Sequence, residues 1–81
     1  MQEYPQVLVN VHVTDKTGLE SNAEVQAAIR RGEDLLSNDG RLFVRASGTE
    51  PLIRVMGEGP DGVFVKNVVD EVARVIGKEL K

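Results

Sequence analysis

No cysteine occurs in this chain, which removes both a disulfide framework and a zinc site of the cysteine type from consideration. Long apolar runs are missing as well. No stretch approaches the roughly 20 apolar residues that would span a membrane, and the opening MQEYPQVLVN lacks the basic and apolar regions of a secretory signal. A cytoplasmic setting with no membrane partner is the expectation. Cationic excess is absent too: the net charge is -3, whereas non-specific nucleic-acid affinity comes mostly from clustered Lys and Arg that release counterions from phosphates. No nucleic-acid partner is expected, and any anion site must be local. Length sets the last bound. Eighty-one residues make one domain, since a core of this size buries only about 60% of the unfolded chain's surface and cannot be subdivided.

What is present organises itself by periodicity. VLVNVHV alternates Val7, Val9, Val11 and Val13 with Leu8, Asn10 and His12, the period of two of a half-buried strand over residues 6–13. TDKTG then has the composition of a turn, and TDKTGLE has room for an irregular fourth strand. Ser21 and Glu24 form an S-x-x-E capping box before VQAAIRRGEDLL, which predicts a helix. Its apolar stripe is Val25, Ala28, Ile29, Gly32, Leu35 and Leu36, its polar face carries Arg30, Arg31, Glu33 and Asp34, and residues 37–40, SNDG, suit a left-handed ending. RLFVRA and PLIRVMGEG read as two strands joined by residues 47–50, a hairpin-length connection. PDG opens a second helix with Asp61 as its cap and a stripe of Val65, Val68, Val69, Val72, Val75, Ile76 and Leu80. The order strand, helix, strand, strand, helix is an α+β domain, an open and mostly antiparallel sheet with two helices on one face.

The hairpin tip is the stretch that a core does not explain. If Ala46 pairs with Pro51, Leu42, Val44, Ala46, Ile53 and Val55 share one face of the sheet. Arg41, Phe43, Arg45, Leu52, Arg54 and Met56 share the other. Arg45 and Arg54 then flank the turn as a diagonal pair about 7 to 8 Å apart on the uncovered face. In RASGTEP, residues 45–51, Gly48 can take a positive φ that lets successive N–H groups converge on an anion. Ser47 and Thr49 add hydroxyl donors, and Arg45 adds a planar fork suited to phosphate oxygens. This is the composition of a phosphate clamp. It is also what an ordinary solvated turn uses, and composition alone leaves both readings open. A Walker loop is excluded because G-x-x-x-x-G-K-[ST] is absent, and a dinucleotide fingerprint because a strand follows the loop. His12 stands without a second ligand and receives no role. Asp15, Glu20, Asp39, Glu58 and Asp61 lie at turns or strand ends, and nothing pairs them for acid and base work.

RASGTEPLIRVM resembles the phosphate-binding loop of the α-D-phosphohexomutase superfamily, whose pattern is R-x-S-G/N-T-x-P. GTEP followed by IRVM and EG is most similar to the bacterial phosphoglucosamine mutase branch. YPQVLVNVHVTDK, the capped helix and EGPD before a terminal helix extend the resemblance to essentially the whole chain. It implies a C-terminal domain of TATA-binding-protein-like fold, residues 1–81 being one phosphate-binding domain cut from a longer chain. It also implies Arg45, Ser47, Gly48 and Thr49 as ligands of a sugar phosphate, with Glu50 part of the loop and Arg54 an accessory. Ala46 stands where a proline is common, which removes no ligand. The reaction implied is the interconversion of glucosamine 6-phosphate and glucosamine 1-phosphate through a phosphoserine enzyme, a magnesium ion and a bisphosphate intermediate. The serine loop, the aspartate-rich magnesium loop and the sugar-selecting loop have no counterpart here. The preceding domains would supply them, and this piece alone is expected to be inactive, with no catalytic residue, metal ligand or cofactor of its own.

Two rivals come from other classes. GRLFVRA is similar to the central strand motif of RNA-recognition domains, but paired aromatics on adjacent strands are missing and the net charge has the wrong sign. A structural interaction module using the open sheet face is the other; phosphate binding at the loop separates it from the clamp.

Overall fold

The computed structural model describes residues 5–14, 18–36 and 40–80. Three strands, β1 (Gln6–His12), β2 (Arg41–Ala46) and β3 (Leu52–Glu58), form one sheet in the order β1-β3-β2, and both pairings are antiparallel. Three helices accompany them: α1 (Gly18–Ser21), α2 (Ala23–Leu36) and α3 (Gly62–Glu79). The architecture is therefore the expected α+β domain, with α1 as an addition. The possible fourth strand is not formed at Gly18–Ser21, which is a helical turn; residues 15–17 lie outside the described set.

The core follows from the two periods. Along β1, the odd positions Val7, Val9 and Val11 are half-buried against the core and Val13 is buried just beyond the strand, while Gln6, Leu8, Asn10 and His12 are exposed. Helix α3 buries Val65, Val68, Val69, Val72, Ala73 and Ile76 along one stripe. It is rich in β-branched residues and so gains its stability from packing more than from propensity. Asp61 caps it as expected, its carboxylate accepting from the Val63 and Phe64 N–H groups at 3.1 and 3.3 Å. Ile53, Val55, Val25, Val65, Val69, Val72 and Ile76 are sealed from solvent, so both helices lie over the face of the sheet that carries Ile53 and Val55.

Several expectations need correction. The cap of α2 is Asn22, not Ser21: its Oδ1 accepts from Val25 N–H at 3.1 Å, because Ser21 is already used as the last residue of α1. The same amide donates to Glu79 Oε1 at 3.3 Å and ties the start of α2 to the end of α3. Of the two leucines expected in the stripe of α2, Leu35 is 52% exposed, and Leu36, about 100° further round the helix, is buried as expected. Arg30, Arg31, Glu33 and Asp34 do face solvent. The helix ending proposed for residues 37–40 is testable only at Gly40. It is not left-handed, and its N–H closes the last turn onto the Leu36 carbonyl at 2.6 Å.

Candidate functional site

The hairpin register differs from expectation by two residues, and the difference sharpens the site. Ala46 pairs with Ile53, not with Pro51, so Arg45 stands directly opposite Arg54. A shift of two preserves the faces, since side chains alternate with period two. Directly opposed residues on one face have Cβ atoms only about 4.5 to 5.5 Å apart, and like charges there destabilise the sheet. Both guanidinium groups are exposed, and neither makes an ion pair or side-chain hydrogen bond with another described residue. Nothing described in the chain neutralises this pair.

Rigid and less rigid elements share the placement. Arg54 sits on the central strand between Ile53 and Val55, both fully buried, so the backbone beneath it is fixed by the core. Arg45 sits one residue before the loop on the edge strand. The loop is pinned at both ends: Ser47 N–H donates to the Leu52 carbonyl at 3.0 Å, Leu52 N–H to the Glu50 carbonyl at 2.8 Å, and Val13 N–H to the Pro51 carbonyl at 2.9 Å. Leu52 is buried although it alternates with Arg54 on the otherwise open face, where the sequence had set it beside exposed residues.

Inside the loop, the Ser47 hydroxyl oxygen accepts from two N–H groups, Thr49 at 3.4 Å and Glu50 at 3.2 Å. Two successive backbone donors thus converge on one oxygen, here the loop's own serine hydroxyl, as in an ordinary serine turn. The expected route to it was wrong in one respect: no described glycine has a positive φ, Gly48 included. The convergence is achieved with ordinary backbone angles. Gly48 is also unconstrained by packing, because a Cβ there would meet nothing within 4 Å. Neither its conformation nor its neighbours within the chain require a glycine.

The open face is layered in rows across the three strands. Gln6, Glu58 and Arg41 form the outermost row; Leu8, Met56 and Phe43 the next; Asn10, Arg54 and Arg45 the third; His12 and Leu52 the last before the loop. A shallow depression is lined by Phe43, Arg45, Arg54 and Met56 together. The sequence put Phe43, Arg45, Arg54 and Met56 on one face, but their junction in a single depression depended on the register of the hairpin. Among the described residues no group of three or more His, Cys, Asp or Glu side chains converges in a way that would hold a metal ion. No described helix is long and apolar enough to cross a membrane.

Comparison with known proteins identifies the family. The family described as "Phosphoglucomutase/phosphomannomutase, C-terminal domain" matches residues 8–75. A phosphoglucosamine mutase of Heliobacterium modesticaldum is 55% identical over 75 residues, covering 93% of this chain and 16% of its own length. That of Bacillus subtilis is 45% identical over 80 residues, covering 99% and 18%. Among solved structures, the Aspergillus fumigatus N-acetylphosphoglucosamine mutase in complex with GlcNAc-6P and magnesium superposes with a TM-score of 0.77 at 27% identity, over 99% of this chain and 16% of that one. An N-acetylglucosamine-phosphate mutase of the α-D-phosphohexomutase superfamily, in its substrate complex, gives 0.72 at 30% identity, over 93% and 16%. The chain spans less than a fifth of the length of these relatives.

Proposed function

The chain belongs to the phosphoglucomutase/phosphomannomutase C-terminal domain family, and from that premise we propose that it is the phosphate-holding domain of a phosphoglucosamine mutase. The parent enzyme interconverts glucosamine 6-phosphate and glucosamine 1-phosphate. Moving a phosphoryl group between two positions of one sugar requires that a second phosphate be held still while the first reacts. Phosphoryl transfer is accelerated mainly by positioning and charge stabilisation, so a clamp on the remote phosphate is a direct use of binding energy. Arg45 supplies the planar fork and Arg54 the opposing charge. Thr49 and Glu50 supply backbone N–H groups, and the Ser47 and Thr49 hydroxyls complete the donor set. A phosphate oxygen takes the position that Ser47 Oγ holds in the free loop, and Gly48 leaves the approach open.

The observation that carries this reading is the Arg45 and Arg54 pair, directly opposed, exposed and without a described counter-charge beside the loop. Bringing a dianion between them converts a repulsion into two charge-assisted contacts. The magnesium named for one structural relative finds no fitting donor cluster among the described residues. In this proposal it is held elsewhere in the parent chain, as are the groups that react.

The test is an NMR titration of the 81-residue chain with inorganic phosphate at low ionic strength. Charge-assisted bonds contribute roughly 1.5 to 3 kcal/mol each before the costs of association, which sets the expected affinity at about millimolar. Shifts should concentrate in residues 45–50 and around Arg54. Arg45→Ala should weaken binding at least about tenfold, the equivalent of one charge-assisted contact, while the spectrum elsewhere stays that of the folded domain. Shifts spread over α3, or a titration unchanged by Arg45→Ala, would leave the loop an ordinary turn.

A further inference from the structure

We propose that the outer edge of β1 pairs antiparallel with the same edge of a second copy of this chain, joining two three-stranded sheets into one across a two-fold axis. With the strand order β1-β3-β2, β1 and β2 are the edges of the sheet among the described residues. Two bonds that bracket β1 fix which of its backbone groups turn outward. Gly59 N–H donates to the Pro5 carbonyl at 3.2 Å, and Val13 N–H to the Pro51 carbonyl at 2.9 Å. In the antiparallel register both belong to the odd residues of the strand, whose N–H and C=O groups turn towards β3, so those of Gln6, Leu8, Asn10 and His12 turn away from it. A row of such groups is a template for another strand.

The two edges differ in charge. On β2, Arg41 and Arg45 are exposed, and the depression beside that strand is lined in part by Glu20 and Glu33; charges of this kind discourage a strand from adding. β1 has no such guard, since residues 4–14 contain no Asp, Glu, Lys or Arg. Its pattern is also its own complement. With the axis at Val9, each Leu8 lies opposite an Asn10 and each Gln6 opposite a His12 on the open face, while Val7 meets Val11 and Val9 meets Val9 on the core face. Every outward residue then faces an outward residue, so hydrogen bonds run the length of the strand and no like charges are opposed. Packing gains as well. Val7, Val9 and Val11 are only half-buried, whereas Ile53 and Val55 beside them on β3 are sealed from solvent, and a second row of the same valines covers the remainder. Because only one edge is unguarded, association closes at two copies and does not grow into a filament. β3 separates β1 from Arg45, so the pairing does not rest on the clamp reading.

The experiment combines sedimentation equilibrium of the 81-residue chain with amide hydrogen exchange, from dilute to about millimolar protein. A contact of one seven-residue strand per copy is smaller than a standard interface, so half-association is expected on the order of 0.1 to 1 mM. The mass should rise from one copy towards two. Over the same range, exchange at the amides of Leu8, Asn10 and His12 should slow about twofold to fivefold, while Val7, Val9 and Val11, already bonded to β3, should not change. Leu8→Lys puts a charge on the edge without entering the core, because Leu8 is 53% exposed, and should weaken association at least about tenfold. Asn10→Pro deletes an outward N–H and no bond to β3. It should act in the same direction, and either variant serves should the other fail to fold. One copy at every concentration overturns the proposal. A dimer that persists in both variants, or that slows exchange only at other amides, overturns it too, and growth beyond two copies overturns the two-fold closure.

Discussion

At the base of the β2 and β3 hairpin, a Cβ added to Gly40 would lie 2.5 Å from the Glu58 carbonyl oxygen, and one on Gly57 would lie 2.6 Å from Val69 Cγ2; at the tip, one on Gly48 would meet nothing within 4 Å. The same residue type is thus fixed by close approach at one end of the hairpin and left unexplained at the other. At the base the reason for glycine is inside the chain: backbone of the neighbouring strand at Gly40 and the valines of α3 at Gly57. At the tip neither contact nor backbone angle supplies one. In the proposed clamp, the bare backbone there leaves room for the phosphate to approach.

Substitution can break this contrast. The largest effect is expected for Gly40→Ala, because the obstruction is backbone oxygen and cannot rotate away; overpacking of this kind costs about 1 to 3 kcal/mol or more, measurable as a lowered midpoint in urea. An unchanged midpoint would show that the base is looser than its contacts imply. Gly48→Ala should do the reverse. Its φ is already one that alanine adopts, so removing backbone freedom from the unfolded state should stabilise the fold by about 0.4 to 1 kcal/mol. The added methyl should nevertheless reduce phosphate binding in the titration above. A chain more stable and weaker in binding would separate folding from function at one atom; a loss of stability would mean that the tip is constrained by the fold after all.

The smallest effect concerns neither end and calibrates both. On the exposed side of α3, Glu71 accepts from Arg74 at 2.7 and 3.2 Å. The hydrogen bond from Arg74 is the main cause that holds its carboxyl below the ordinary range. A depressed carboxyl contributes stability that is present at neutral pH and lost as pH falls through the folded-state value. Glu71→Gln should therefore lower the urea midpoint slightly at neutral pH and leave it unchanged in acid, below the carboxylate range. A difference that persists in acid would assign the effect to packing.

The periodic elements were legible because each has one face on a continuous core. The alternation of β1 and the stripe of α3 needed no partner to be read. The Asp61 cap was equally visible because its acceptor acts two and three residues away. The register of the hairpin was not legible, since moving the pairing from Ala46 with Pro51 to Ala46 with Ile53 keeps every side chain on its face and leaves the hydrophobic pattern unchanged. For the site this meant that the sequence placed Arg45 and Arg54 on the same side but as a diagonal pair, and so missed their direct opposition. Asn22 was hidden for a local reason. Ser21 offers the better capping-box pattern, and only the four-residue helix before it removes Ser21 from the role. Leu52 was misjudged because it is buried on a face whose neighbouring positions are open, which no periodicity announces.

The loop is joined to the far end of the chain by two neighbouring amides. Val13 N–H holds the Pro51 carbonyl, and Thr14 N–H holds the Leu80 carbonyl just past α3, each at 2.9 Å. A hairpin tip would ordinarily surrender its conformational freedom at the moment of capture, and that entropy would be subtracted from affinity. In the proposed clamp, part of it would instead be surrendered during folding, through these two bonds between the strand exit, the loop and the helix end. Leu80 would thereby help to preorganise that clamp: removing it deletes no group from the proposed site, yet it would free Thr14 and slacken the anchor on which the loop hangs.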